Sequence, residues 1–414
     1  MRRPAVIRRA AGAALAASIH ALAASAATGA DAWITFRGDP LRTGNPGGEA
    51  LAPRLELAWS FRDESYRSAS FDSSPALVDG LVIIGLSEAS VFSPSGRIVC
   101  LDAATGKRRW HFKTRHPVFS SPVVAGGRVY AGEGHHQDSS CRLYCLDQAT
   151  GEERWSFETK SHVESTPTVD GDRVYVGAGE DGVRALDAAD GKPVWHAAGE
   201  HVDMSPLVTS GLVFFGAGYE NPAALCLSAK DGGVRWRTPL DQPCWGSPVR
   251  AGNRVYFGLG RGNFLESDAD PRGAVVCLSA TQGAKVWQRD LPDAVHTAIA
   301  FGEGKLFCGS RDSKVYALDP GSGEIRWKLD AGSPVVSSPL LSPHSVAAVG
   351  SLGRLVIASA KGGEVEGTID LRELLGPAAR IISSPALHDG RIIVGSGGSV
   401  IALRAAAPKE GKKP

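Results

Sequence analysis

Two short segments carry the residue types best suited to chemistry. His162-Val163-Glu164 and His201-Val202-Asp203 each set an imidazole two positions before a carboxylate, and each runs into a Ser/Thr-Pro step. Side chains two apart on a β-strand share a face, so each histidine points the same way as its acid. Two such pairs on neighbouring strands could bind a divalent metal ion or polarise a small molecule. The same groups could equally line a water-filled passage, and residue types alone leave both readings open.

The strands that must position these pairs belong to a repeat. The first unit runs Ser73-Ser74-Pro75 through Gly85, then from Ile98 through Asp102, Thr105 and Gly106 to Trp110. Further units start at Ser120-Ser121-Pro122, Ser165-Thr166-Pro167, Ser205-Pro206, Ser247-Pro248, His296-Thr297-Ala298-Ile299, Ser337-Ser338-Pro339 and Ser383-Ser384-Pro385. Short alternating runs between Gly/Asp turns read as a four-stranded antiparallel meander, which must stack on its neighbours to bury both faces. The eighth unit lacks an outer strand, and Leu55 to Phe61 is an outer strand lacking a unit. Pairing the two closes an eight-bladed, all-β propeller and protects its edges. Seven blades is the rival count, because the seventh unit is degenerate, with Thr368 near the place where its tryptophan is expected.

Tryptophans 59, 110, 155, 195, 236, 287 and 327 fall in phase at intervals of 40 to 51 residues. Six of them close an eleven-residue segment whose seventh place is always glycine: Gly106, Gly151, Gly191, Gly232, Gly283 and Gly323. This reads as a tight turn at positive φ, with the tryptophan covering the turn of an adjacent blade.

On the repeat frame, the residue three before each proline lies on the strand that lines the axis. Around the ring it reads Asp72, Phe119, Glu164, Asp203, Trp245, His296, Val336 and Ile382. One place earlier stand Phe71, Val118, Val163, Val202, Cys244, Val295, Val335 and Ile381, an apolar set expected between blades. Asp72, Glu164, Asp203, Trp245 and His296 are therefore the candidate channel ring for a bound cofactor, with His162 and His201 as candidate metal ligands.

The Ala/Cys-x-Asp-x-x-Thr-Gly-x-x-x-Trp segment resembles the tryptophan-docking repeat of the pyrroloquinoline-quinone (PQQ)-type propellers, over roughly residues 33 to 404. The lead-in from Trp33 through Arg37, Gly38 and Arg42 to Gly44 is similar to the N-terminal segment of that superfamily. One branch is quinone-dependent dehydrogenases; the other is non-catalytic, similar to the periplasmic scaffold of the outer-membrane β-barrel assembly machine. The dehydrogenase branch implies a cofactor-contacting acid at Asp72 and a stacking platform at Trp245. Its adjacent Cys-Cys pair, its His-Asp-x-x-Trp-Asp segment and a Cys-x-x-Cys-His haem site have no counterpart here. PQQ or a divalent ion thus stands as the alternative reading.

Insertions lie mostly between the second and third strands, and are expected on one rim, where partners dock on rigid scaffolds. They are Leu86 to Arg97, Glu133 to Cys141, the Tyr219-Glu220-Asn221-Pro222 stretch, and Arg261 to Pro271. The His135-His136 pair reads as incidental loop residues, and the acids of the last insertion space poorly for calcium. With 45 basic against 44 acidic residues there is no footprint for nucleic acid. No spanning helix follows the N-terminus. Arg2, Arg3, Arg8 and Arg9 before an Ala-rich apolar run read as a signal peptide over 1–30. A lead-in (31–54), one propeller (55–404) and a disordered tail (405–414) complete the organisation. Cys100, Cys145, Cys226, Cys277 and Cys308 read as small buried side chains, Cys141 and Cys244 stand outside a repeat core position, and no cysteine lies where a lipid anchor would attach. The reading of the whole is a monomeric, exported, periplasmic or secreted propeller that binds a protein or peptide partner by rim loops or channel mouth and catalyses nothing itself.

Overall fold

The computed structural model describes residues 33–39, 41–44, 50–66, 68–88, 95–218, 220–377 and 379–407. The expected signal peptide, the tail beyond residue 407, the centre of the first insertion (89–94) and Tyr219 lie outside the described residues.

Eight antiparallel sheets form one ring of eight blades. Blades 1 to 7 span 69–114, 123–158, 168–197, 207–239, 244–291, 300–330 and 340–370. Blade 1 carries a fifth short strand, Ala69–Ser70, against the end of its second strand. Blade 8 takes three strands from 386–405 and its outer strand from the N-terminal side. There Leu55–Phe61 pairs antiparallel with Val400–Ala405, Trp59 opposite Ala402. The ring closes as the orphan strand required. A single helical turn, Arg372–Leu375, is the only helix among the described residues.

Blades join at three radii. At the periphery each ladder tryptophan lies on the glycine turn of the following blade: the Trp236 indole donates to the Ala280 carbonyl at 3.0 Å. Its ring also covers Gly283, whose φ is +70° and where a Cβ would come within 2.7 Å of the indole. All seven indoles from Trp59 to Trp327 donate to such a carbonyl. At mid-radius the apolar set before the ring residues is buried between blades. Gly132 leaves the room Val163 needs, a Cβ there lying 2.2 Å from the valine methyl. Near the axis, the serines before each proline bond blade to blade, as from the Ser74 amide to Ser121 Oγ and the Ser384 amide to Ser74 Oγ. These serines are structural.

The seventh blade sharpens one expectation. Opposite Ile357, where sister blades set a tryptophan, stands Gly367 and not Thr368. A Cβ on Gly367 would lie 1.9 Å from the Pro53 carbonyl oxygen. Blade 8 has no turn between its third and outer strands, because the chain ends meet there, the Ala406 amide donating to Arg54. A blade-7 tryptophan would have no turn to cover, and the incoming lead-in takes its space.

The lead-in crosses the axis at the end opposite the insertions. Its backbone bonds to Leu77 of blade 1, Val124 of blade 2, Phe301 of blade 6 and Leu341 of blade 7. Arg37, 1% exposed, donates to the Pro339 carbonyl; Arg42 donates to Thr168 Oγ1 at 2.6 Å. Burial lowers both guanidinium pKa values to about 9. All seven cysteines are buried and unbridged, and burial pushes the Cys100 thiol up to about 12.

Candidate functional site

A cavity of about 500 Å³ occupies the axis, and all eight ring residues line it. Phe36 of the lead-in forms part of one end. At the other end His135 and His136 of the blade-2 insertion, and Asn263, Phe264 and Leu265 of the blade-5 insertion, reach over the mouth. The alternation read from the sequence therefore sorted inward from wedged side chains correctly.

The structure divides the ring into three groups. On blades 3 and 4, Asp203 receives His162 Nε2 on one oxygen at 2.8 Å and His201 Nε2 on the other at 2.7 Å. His162 is 2% exposed, and its Nδ1 lies 3.2 Å from Ser161 Oγ. Burial alone would raise the Asp203 pKa, but the two imidazoles hold it well below the carboxylate range. Asp203 in turn raises the pKa of His201 by its hydrogen bond, and that of His162 despite burial. Glu164 accepts the His136 backbone amide at 2.8 Å. Burial, reinforced by the Asp203 charge, pushes its carboxyl up to about 7.

The second group is aromatic. Trp245 packs against His296 with centroids 5.0 Å apart, and Phe264 closes on both at 5.8 and 5.6 Å. His296 is buried, at 4% exposed, and burial lowers its pKa to about 3. Asp72 stands apart on blade 1, taking a hydrogen bond from Ser70 at 2.6 Å, and burial raises its pKa. The sequence candidates thus line one cavity without forming one constellation.

His136 is the residue that sequence reasoning set aside. The insertion carrying it does not lie idle on the rim. Its Asp138 accepts the His135 amide at 2.8 Å and faces His116, while His136 turns to the axis, 5.0 Å by ring centroid from His162 and 6.1 Å from His201. The usable signal was positional: an insertion after a second strand emerges at the ring end, on the blade next to His162. One ligand atom each from His136, His162, His201 and Asp203 lies within 4.8 Å of the others. The blade-5 insertion is held by Arg311, which donates to the Asn263 and Leu265 carbonyls and to Ser267 Oγ at 2.9, 3.1 and 3.1 Å. Its acids form no metal-ligand cluster among the described residues.

A PQQ molecule is a planar tricarboxylate, and three anionic groups need cationic partners when taken out of water. The described lining holds three carboxylates, Asp72, Glu164 and Asp203, and no lysine or arginine. The imidazoles with raised pKa values are already bonded to Asp203. The residues do not fit that cofactor.

The chain aligns with a Yersinia pestis outer membrane protein assembly factor BamB at 24% identity over 226 residues, 51% of this chain and 53% of the relative. It also aligns with a Streptomyces griseus serine/threonine-protein kinase AfsK at 28% over 398 residues, 90% of this chain and 44% of the relative. It spans about half the length of these curated relatives. Among solved structures, BamB from Moraxella catarrhalis superposes with a TM-score of 0.65 at 17% identity, covering 87% of this chain and 100% of that one. Quinohemoprotein alcohol dehydrogenase from Comamonas testosteroni superposes at 0.67 and 16%, covering 92% and 82%. These similarities show the fold alone. The sequence profile described as outer membrane protein assembly factor BamB matches residues 16–139, 137–219 and 271–412, most of the chain. On that match, the chain belongs to the BamB family of PQQ-type propellers.

Proposed function

We propose that this protein is a non-catalytic scaffold of the cell envelope that binds a protein or peptide partner at the insertion-bearing mouth. The assembly-factor description of its family supports a place in outer membrane protein assembly. The observation that carries the reading is the blade-5 insertion. Arg311 and the Ser267–Asp293 bond at 2.6 Å brace a loop that leaves Leu265 59% exposed beside Phe264 and Trp245. A braced apolar side chain at a concave mouth loses little entropy on binding, which is the economy a docking surface needs. No helix among the described residues is long and apolar enough to cross a membrane.

A photo-crosslinking residue at position 265 tests this in cells exporting the protein. A discrete protein adduct is expected there, weakened by Arg311→Ala and missing when the probe replaces Val234, exposed on the outer strand of blade 4. No adduct at 265, or the same adduct at 234, overturns mouth docking. In parallel, PQQ with calcium should give no saturable quinone absorbance and no dye reduction with alcohols or sugars. Stoichiometric reconstitution with turnover would replace the scaffold reading with the oxidoreductase one.

A further inference from the structure

We propose that His136, His162, His201 and Asp203 form a site for one divalent transition metal of the zinc type, which pins the blade-2 insertion across the channel mouth. The four residues come from three places. His136 rides on the insertion between the second and third strands of blade 2, His162 precedes the inner strand of blade 3, and His201 and Asp203 precede that of blade 4. Nothing in the repeat requires them together, since the equivalent places in blades 7 and 8 hold Val336 and Ile382.

The donor set selects the metal. Three imidazole nitrogens and one carboxylate oxygen suit zinc, cobalt or nickel, whereas calcium and magnesium take all-oxygen shells. Four protein ligands complete a tetrahedron and leave no open position, so the site is structural.

The geometry is one small adjustment from coordination. Zinc–ligand bonds of about 2.0–2.1 Å place tetrahedral donors roughly 3.3 Å apart. Asp203 now lies 2.8 Å from His162 Nε2 and 2.7 Å from His201 Nε2, and His136 Nε2 lies 4.0 Å from Asp203 Oδ2. With Asp203 Oδ2 as the ligand, its separation from His201 Nε2 must open by about 0.6 Å and that from His136 Nε2 close by about 0.7 Å, while His162 Nε2 leaves Oδ1 for the ion, all of which side-chain torsions can supply.

A supporting shell stands within reach. His136 Nδ1 lies 3.8 Å from Glu164 Oε1, and the same oxygen accepts the His136 backbone amide at 2.8 Å. His162 Nδ1 has Ser161 Oγ at 3.2 Å. A carboxylate on the far nitrogen of a ligating histidine orients the ring and raises its basicity. A second set, His116, Asp138 and Cys141, lies at the base of the same insertion, but it offers only three groups and its Cys141 thiol is pushed up to about 12 by burial. It serves as the internal control.

The test uses tag-free, chelator-treated, full-length protein titrated with zinc chloride by calorimetry and with cobalt chloride by visible absorption. One ion per chain is expected, with the intense d–d bands of tetrahedral cobalt and no competition from a thousandfold excess of calcium. His136→Ala should weaken zinc binding at least about 100-fold and Glu164→Gln roughly 10–100-fold. His116→Ala should leave binding unchanged. His136 lies on an insertion, so its variant should keep the wild-type circular dichroism spectrum. Hydrogen exchange of the insertion amides between Gly134 and Ser140 reports the pinning and should slow when zinc is added to wild-type protein only. Absence of binding, a stoichiometry other than one, octahedral cobalt, equal competition by calcium, or zinc affinity lost in His116→Ala but kept in His136→Ala each overturns the proposal.

Discussion

Replacing Gly367 by alanine tests how the ring is closed. The repeat alone recommends a tryptophan in blade 7, so filling that place should add the missing peripheral contact. The structure predicts the opposite. A Cβ on Gly367 would sit 1.9 Å from the Pro53 carbonyl oxygen and 2.8 Å from its carbon, against an ordinary carbon–oxygen contact of about 3.3 Å. Pro53 must therefore retreat by about 1.4 Å, the difference between those two oxygen distances. It cannot do so freely, because Arg54 accepts the Ala406 amide at 3.0 Å and Leu55 begins the closing strand. Overpacking of this kind costs about 1–3 kcal/mol. With an unfolding entropy of about 2.1 cal/mol/K per residue over roughly 350 residues, 2 kcal/mol lowers Tm by about 3 °C. Gly367→Trp should lose more, while alanine at the exposed neighbour Thr368 should melt like wild type. Calorimetry reads the shift, and limited proteolysis ahead of Leu55 should quicken in both glycine variants. A Gly367→Trp protein melting at or above wild type would refute the closure argument and restore the repeat-consensus one.

Trp236→Ala removes a buried indole and its bond to Ala280, and should cost about 3–5 kcal/mol in chemical denaturation. A loss below 1 kcal/mol would deny the ladder its stapling role. His296 gives the pH dependence. Its folded pKa is lowered to about 3 by burial, so below the unfolded value near 6.5 the unfolded chain binds a proton that the native state refuses. Stability then falls as pH drops through that window, by at most about 1.4 kcal/mol per pH unit. His296→Phe, which keeps the stacking on Trp245 and Phe264, should flatten denaturation midpoints between pH 6.5 and 4.5, and an unchanged slope would exclude His296 as the source.

What the sequence made legible follows from periodicity. The ladder and the eight sheets were readable because seven units repeat a turn whose glycine meets the tryptophan of the preceding blade, and the inner ring because strand side chains alternate. Blade 7 could be placed only to within a residue, near Thr368, because its anchor is Ile357 rather than alanine or cysteine, and counting eleven from that anchor lands on Gly367. His136 was missed because insertions carry no period. Nothing in residue type says whether a loop histidine faces solvent or turns to the axis, and only the braces at Asp138 and Glu164 decide it. The separation of Asp72 and His296 from the His/Asp cluster was equally hidden, since a ring order gives neighbours but not distances across a cavity.

The backbone cannot choose between the two kinds of protein that share it, since an assembly factor and a quinohemoprotein dehydrogenase superpose on this chain with TM-scores of 0.65 and 0.67. The choice lies in eight axial side chains. A carboxylate of a bound ligand about 5 Å from an axial carboxylate is repelled by roughly 3 kcal/mol at an effective dielectric constant near 20, and a divalent cation is attracted by about twice that. Asp203 is the ring carboxylate held in its charged form, since burial raises the pKa of Asp72 and Glu164, and no lysine or arginine stands in the described lining to reverse the sign. The tryptophan ladder that lends the fold its cofactor name stands on the outer strands and contributes nothing to that field. Cofactor preference in such a ring is set by axial charge, and here the described lining offers a quinone's carboxylates no lysine or arginine.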